Sequence, residues 1–117
     1  MILVGHGSRE AGFSWAMEKV ASGIRSDKRF AGVSCAYLEI AKPSIEEAID
    51  LSVEKRSKEI RILPYFVLTG RHVKSHIPEI VAAARKKYSG VKIILCPYLG
   101  YDEKIVSVAK TRILSVR

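Results

Sequence analysis

Residues 61–67, RILPYFV, and residues 92–98, KIILCPY, are apolar almost without interruption. A strand with one wet face alternates apolar and polar side chains, whereas a strand covered on both faces does not. These runs read as strands of a parallel sheet held between helices. The flanking sequence extends them to EIRILPYFVL (59–68), with Pro64 ending regular pairing, and VKIILCPYLG (91–100). MILV (1–4) and GVSCAYLEI (32–40) supply two earlier strands.

Helical spacing fills the gaps between strands. Phe13, Met17, Val20 and Ile24 share one face of a first helix. Ile45, Ile49 and Val53 form the stripe of a second, opened by Pro43-Ser44, with Ser44 and Glu47 spaced as a capping box. Ile77, Ile80, Val81 and Ala84 mark a third, closed by Gly90. Pro78 restricts the residue before it, so this helix is expected to begin at Ser75 or later. Asp102 caps a last helix carrying Ile105, Ala109 and Ile113. The order β-α, repeated four times, predicts an α/β fold. It is an open, mostly parallel four-stranded sheet with helices on both faces, in a single domain over 1–117.

Composition narrows the function classes. Hydrophobic residues make up 48% and charged residues 27%, which is a globular balance. No apolar run approaches the roughly 20 residues of a membrane helix, and the N-terminal segment lacks signal-peptide features. The expected setting is the cytoplasm. Cys35 and Cys96 lie in apolar runs without metal-ligand spacing and are expected as buried thiols. Twenty Lys and Arg against twelve Asp and Glu give +8, which favours an anionic partner: nucleic acid, an acidic membrane surface or a polyanionic small molecule. The basic residues are dispersed, so ordinary solvated surface accounts for them equally well. Neither GxGxxG nor GxxxxGK[ST] occurs, and no aromatic-basic RNA-binding signature is visible.

Open α/β sheets bind ligands outside the carboxyl ends of their strands. The segments expected there, 5–12, 39–43, 65–76 and 97–102, contain all three histidines, His6, His72 and His76, and the acid Glu39. Such a set suits metal binding or proton transfer near neutral pH. His72 and His76 have ligand spacing if one helical turn holds both. Each residue also has an ordinary alternative: a hydrogen-bonded turn for His6 and His72, a helix flank for His76, a turn organiser for Glu39. Gly5 and Gly7 bracket His6, as glycines do where the backbone must turn sharply or where something must come close to it.

The combination of HGS (6–8), E-x-A-x-P-S (39–44), P-x-F-x-x-x-G-x-H-V (64–73) and I-P (77–78) resembles the small sirohydrochlorin chelatases of the short CbiX type. The resemblance implies a class II chelatase that inserts a divalent metal, Co²⁺, Ni²⁺ or Fe²⁺, into sirohydrochlorin without a nucleotide. It places the family's two histidines on His6 and His72 and its acid on Glu39. It also implies a homodimer, in which two subunits bring four histidines to one cleft. His76 stands where relatives commonly have an acid, which would remove negative charge beside the metal and offer a nitrogen ligand. The metal ligands expected are His6, His72 and His76. The macrocycle, a polycarboxylate, is expected to meet Ser8, Arg9, Lys42, Gly70 and Arg71, with Val67, Leu68 and Leu99 along its faces. Two rival readings have other classes: a non-catalytic metal- or tetrapyrrole-binding carrier, and a basic nucleic-acid binder, which the missing reading element disfavours.

Overall fold

The computed structural model describes residues 1–30 and 32–116. Its elements follow in the order β1 (Ile2–Gly5), α1 (Ala11–Arg25), β2 (Ser34–Tyr37), α2 (Ile45–Glu54), β3 (Glu59–Pro64), α3 (Arg71–Lys87), β4 (Lys92–Leu95) and α4 (Glu103–Leu114). All strand pairs are parallel, in the order β2-β1-β3-β4. Ile2 sits between Ser34 and Ile62, which fixes the central register. The α/β fold read from the sequence is the fold observed. None of the helices is long and apolar enough to cross a membrane, among the described residues.

The strands are shorter than their apolar runs. β3 stops at Pro64, which has no N–H for the ladder, and β4 stops before Pro97 for the same reason. β2 ends at Tyr37 because the chain turns back there: the Tyr37 N–H donates to the Pro43 carbonyl at 2.9 Å. The capping box is present, with the Glu47 N–H donating to Ser44 Oγ at 3.1 Å. Asp102 caps α4 by accepting from the Lys104 N–H at 2.8 Å.

The third helix departs from expectation. It starts at Arg71, not at Ser75 or later, and runs through Pro78. The proline removes one bond to the helix ladder, but Ile77 and Val81 on either side of it are buried in the core. Their burial holds residue 77 in the helical region against the local preference. As a result His72 and His76 do lie one turn apart on the same helix.

Two apolar clusters flank the sheet. One packs Val4, Ile60, Ile62 and Ile93 against Ile45, Ile49, Ile77 and Val81 of α2 and α3. The other packs Leu3 and Tyr37 against Met17 and Ala21 of α1. Helices thus cover both faces, but unequally. On the α1 side, β3 shows Glu59 and Arg61 to solvent, and burial along the strand alternates. The expectation that β3 and β4 are buried on both faces fails there, because α4 covers neither strand. None of its residues is buried. The chain is accordingly long, 54 × 34 × 27 Å, with a radius of gyration of 15.2 Å. A compact chain of this length would have about 13 Å.

Candidate active site

The strand order reverses between β1 and β3, whose chains leave the sheet toward opposite neighbours. In doubly wound folds the crevice at that switch point, beyond the carboxyl strand ends, receives the ligand. His6 is the first residue after β1, and His72 lies in the first turn of the helix after β3.

Backbone bonds beyond the strands bring Glu39 to His6. The Leu38 N–H donates to the Gly5 carbonyl at 3.0 Å, and the Glu39 N–H to the His6 carbonyl at 3.1 Å. Gly7 makes this closure possible. Its φ is +108°, and a Cβ there would lie 1.8 Å from the Glu39 carbonyl oxygen. The side chains meet as a consequence: His6 Nε2 is 2.7 Å from Glu39 Oε1, and both remain more than half exposed. The Nδ1 lone pair is left for a cation, in the manner of carboxylate-oriented histidine ligands.

Gly5 and Gly7 do not open space for a ligand as the sequence suggested. A Cβ on Gly5 would press on Met17 Cε at 2.9 Å, so this glycine admits α1. Only Gly70, the N-cap of α3, is open, with nothing within 4 Å of a notional Cβ. Ile40, next to Glu39, holds φ +69° and is 60% exposed. That conformation is rare for a β-branched residue and marks a constrained rim.

The other two histidines form a second pair. The rings of His72 and His76 stack 5.5 Å apart at 12°. His76 also borders the groove between α2 and α3, with Glu46, Asp50 and Glu79. Among the described residues, no three His, Cys, Asp or Glu side chains gather into a ligand set. The structure therefore offers two pairs, His6 with Glu39 and His72 with His76, and does not join His6, His72 and His76 into one triad.

The expected macrocycle contacts lie along the rim. Arg9, Lys42, Val67, Leu68, Gly70 and Arg71 are exposed, and Leu99 is half-buried. Ser8 is half-buried and its Oγ accepts from the Glu10 N–H at 3.1 Å, which shapes the turn into α1. Sequence reasoning passed over an apolar groove beside His6, lined by Phe13, Ala16, Val20, Tyr65 and Phe66. The aromatic pair directly after Pro64 was its signal. The cysteines are free and half-buried. Burial first, and then the neighbouring Glu18 carboxylate, push the Cys35 thiol up to about 11 and leave it unreactive.

The CbiX family model matches residues 1–116. The chain belongs to the CbiX family. It is 31% identical to a chloroplastic sirohydrochlorin ferrochelatase of Arabidopsis thaliana, over 97% of this chain and 50% of that protein. It is 29% identical to a sirohydrochlorin cobaltochelatase of Sulfolobus acidocaldarius, over 96% of this chain and 87% of that one. The crystal structure of the sirohydrochlorin chelatase SirB from Bacillus subtilis subspecies spizizenii, in complex with cobalt, superposes with a TM-score of 0.86 at 26% identity. That alignment takes in 98% of this chain, α4 included, and 49% of the other. The chain thus spans about half the length of several relatives and most of the length of others.

Proposed function

We propose that this chain inserts a divalent metal into sirohydrochlorin without nucleotide hydrolysis, with cobalt the favoured metal and nickel or iron the alternatives. The observation that carries the reading is the His6–Glu39 pair at the sheet's switch point, held by the Gly7 closure. Membership of the CbiX family and the names of its relatives support the substrate.

Insertion requires a metal that sheds water and a macrocycle that loses two pyrrole protons. His6 offers Nδ1 to the metal while Nε2 rests against the Glu39 carboxylate. Glu39, or a histidine once the metal has left it, accepts the macrocycle protons. His72, stacked on His76, supplies a second nitrogen pair. By resemblance to the short members of the family, two copies share one cleft, to which His6 and His72 of each would bring four histidines. Arg9, Lys42 and Arg71 meet the carboxylates of the macrocycle, Arg in the two-point manner suited to that group.

The test is turnover. Sirohydrochlorin is mixed with Co²⁺, Ni²⁺ or Fe²⁺ and substoichiometric protein, and the absorption change of the macrocycle is followed. Many metallated rings per chain are expected, fastest with Co²⁺. A change that stops at one ring per site would favour the carrier reading.

A further inference from the structure

We propose that an apolar pocket beside the first turn of α3 receives one carboxylate arm of the macrocycle, held by Thr69 and Lys74. The proposal rests on the reading of the substrate as sirohydrochlorin, and adds how one of its arms is anchored.

The pocket follows from where strand pairing stops. Pro64 and Pro97 offer no N–H to the ladder, so β3 and β4 end short of the α3 start and leave a space of 330 Å³ between them and the helix. Pro64, Val73, Ile77, Leu95 and Pro97 wall it. Sites for small molecules begin at about 300 Å³, so the whole macrocycle is too large for this one and a short arm is not. The methylenes of such an arm would lie on the apolar walls and leave its carboxylate to the polar groups.

Those polar groups are Thr69 and Lys74. Thr69 Oγ1 is shut off from solvent and makes no hydrogen bond among the described residues. A hydroxyl is costly to bury unpaired, and a turn about its Cα–Cβ bond presents it to a guest in the pocket. Lys74 Nζ stands 5.7 Å from the centre of the Tyr98 ring, at the pocket wall. Among the described residues no carboxylate lies within ion-pair distance of it. Gly70 brings no capping side chain to α3, so the first N–H groups of this 17-residue helix also favour an anion here.

Gly70 connects the pocket to the cleft. Its φ of −84° is open to any residue, and a Cβ there would meet nothing within 4 Å. Neither backbone conformation nor packing requires glycine at this position. What the missing side chain keeps is a low sill on the first turn of α3, with His72 on one flank and the pocket, bordered by Thr69 and Val73, on the other. A ring seated over His72 can pass an arm across that sill. The arm would fix the rotation of the ring relative to the metal.

Titration of metal-free sirohydrochlorin into the full chain, followed by its absorption, measures binding apart from turnover. Lys74→Gln and Thr69→Val should each raise the dissociation constant about tenfold, the loss of one hydrogen bond to a charged group, and Lys74→Arg should recover most of the affinity. Lys86→Gln removes the same charge from the exposed last turn of α3 and should bind as wild type does. Thr69→Val should not lower the urea midpoint of the ligand-free protein, because its hydroxyl bonds nothing there. Cys96 also lines the pocket, so bound macrocycle should slow its alkylation by iodoacetamide. Wild-type affinity in either Lys74→Gln or Thr69→Val, or an equal loss in Lys86→Gln, overturns the anchored arm. So does a Thr69→Val protein whose urea midpoint falls with its affinity, or Cys96 alkylation that saturating macrocycle leaves unchanged. A wild type that does not bind sirohydrochlorin overturns the substrate reading itself. One that binds but does not metallate the ring points to the carrier, and the same variants still decide the pocket.

Discussion

His6 Nε2 and Glu39 Oε1 lie 2.7 Å apart although one follows β1 and the other β2. The contact depends on a backbone feature between them: Gly7, at φ +108°, lies against the Glu39 carbonyl where no side chain fits. Strand pairing brings the two loops near, and the glycine lets them close.

Gly7→Ala should therefore harm stability and chemistry together. The left-handed backbone alone costs an alanine about 1–3 kcal/mol, and the Cβ must also push the Glu39 carbonyl away. A lower midpoint in urea is expected, with loss of metal insertion beyond the loss of folded protein. An alanine variant as stable as wild type would show that the loops have another way to close.

His72→Ala isolates chemistry from folding. His72 is exposed, and its ring stacks on His76. Unfolding free energy should change by no more than about 0.5 kcal/mol, while metal insertion is abolished. An unchanged insertion rate would count heavily against the assigned site. His76→Asp should keep activity and alter the order of preference among Co²⁺, Ni²⁺ and Fe²⁺, since a hard oxygen ligand replaces nitrogen. Identical preferences would make His76 a bystander.

Acid should weaken the contact between α2 and α3. The Tyr88 hydroxyl donates to Asp50 Oδ1 and, with Lys87 also near, holds the Asp50 carboxyl below its ordinary 3.8. A depressed carboxyl stabilises the fold above its unfolded value, and the contribution disappears as pH falls through the folded value. Tyr88→Phe should cost less than about 1 kcal/mol at pH 7, because the pair is partly exposed. The gap between the two proteins should narrow below pH 3.8. A gap that stays constant down to acid unfolding would assign the effect to packing of the ring.

Much of this architecture was legible in residue order. Apolar runs separated by helical stripes specify alternating strands and helices, and Ser44 with Glu47 and Asp102 mark helix starts through bonds within a few residues. The histidines and Glu39 were placed at the strand ends because position in a parallel sheet follows from chain order. Local rules failed where distant packing outweighed them. The helix through Pro78 exists because Ile77 and Val81 are buried, and that burial alone sets His72 over His76. The glycines flanking His6 looked like room for a ligand, but Met17 and the Glu39 carbonyl occupy the space.

The sequence by itself determined the α/β order, the parallel sheet and the rim that holds the candidate residues, since hydrophobic period and caps act over a few residues. Only the tertiary structure decided which of those residues meet, and that α4 stands apart from the layer its stripe was suited to. Such outcomes depend on contacts between segments remote in the chain, which local spacing does not encode.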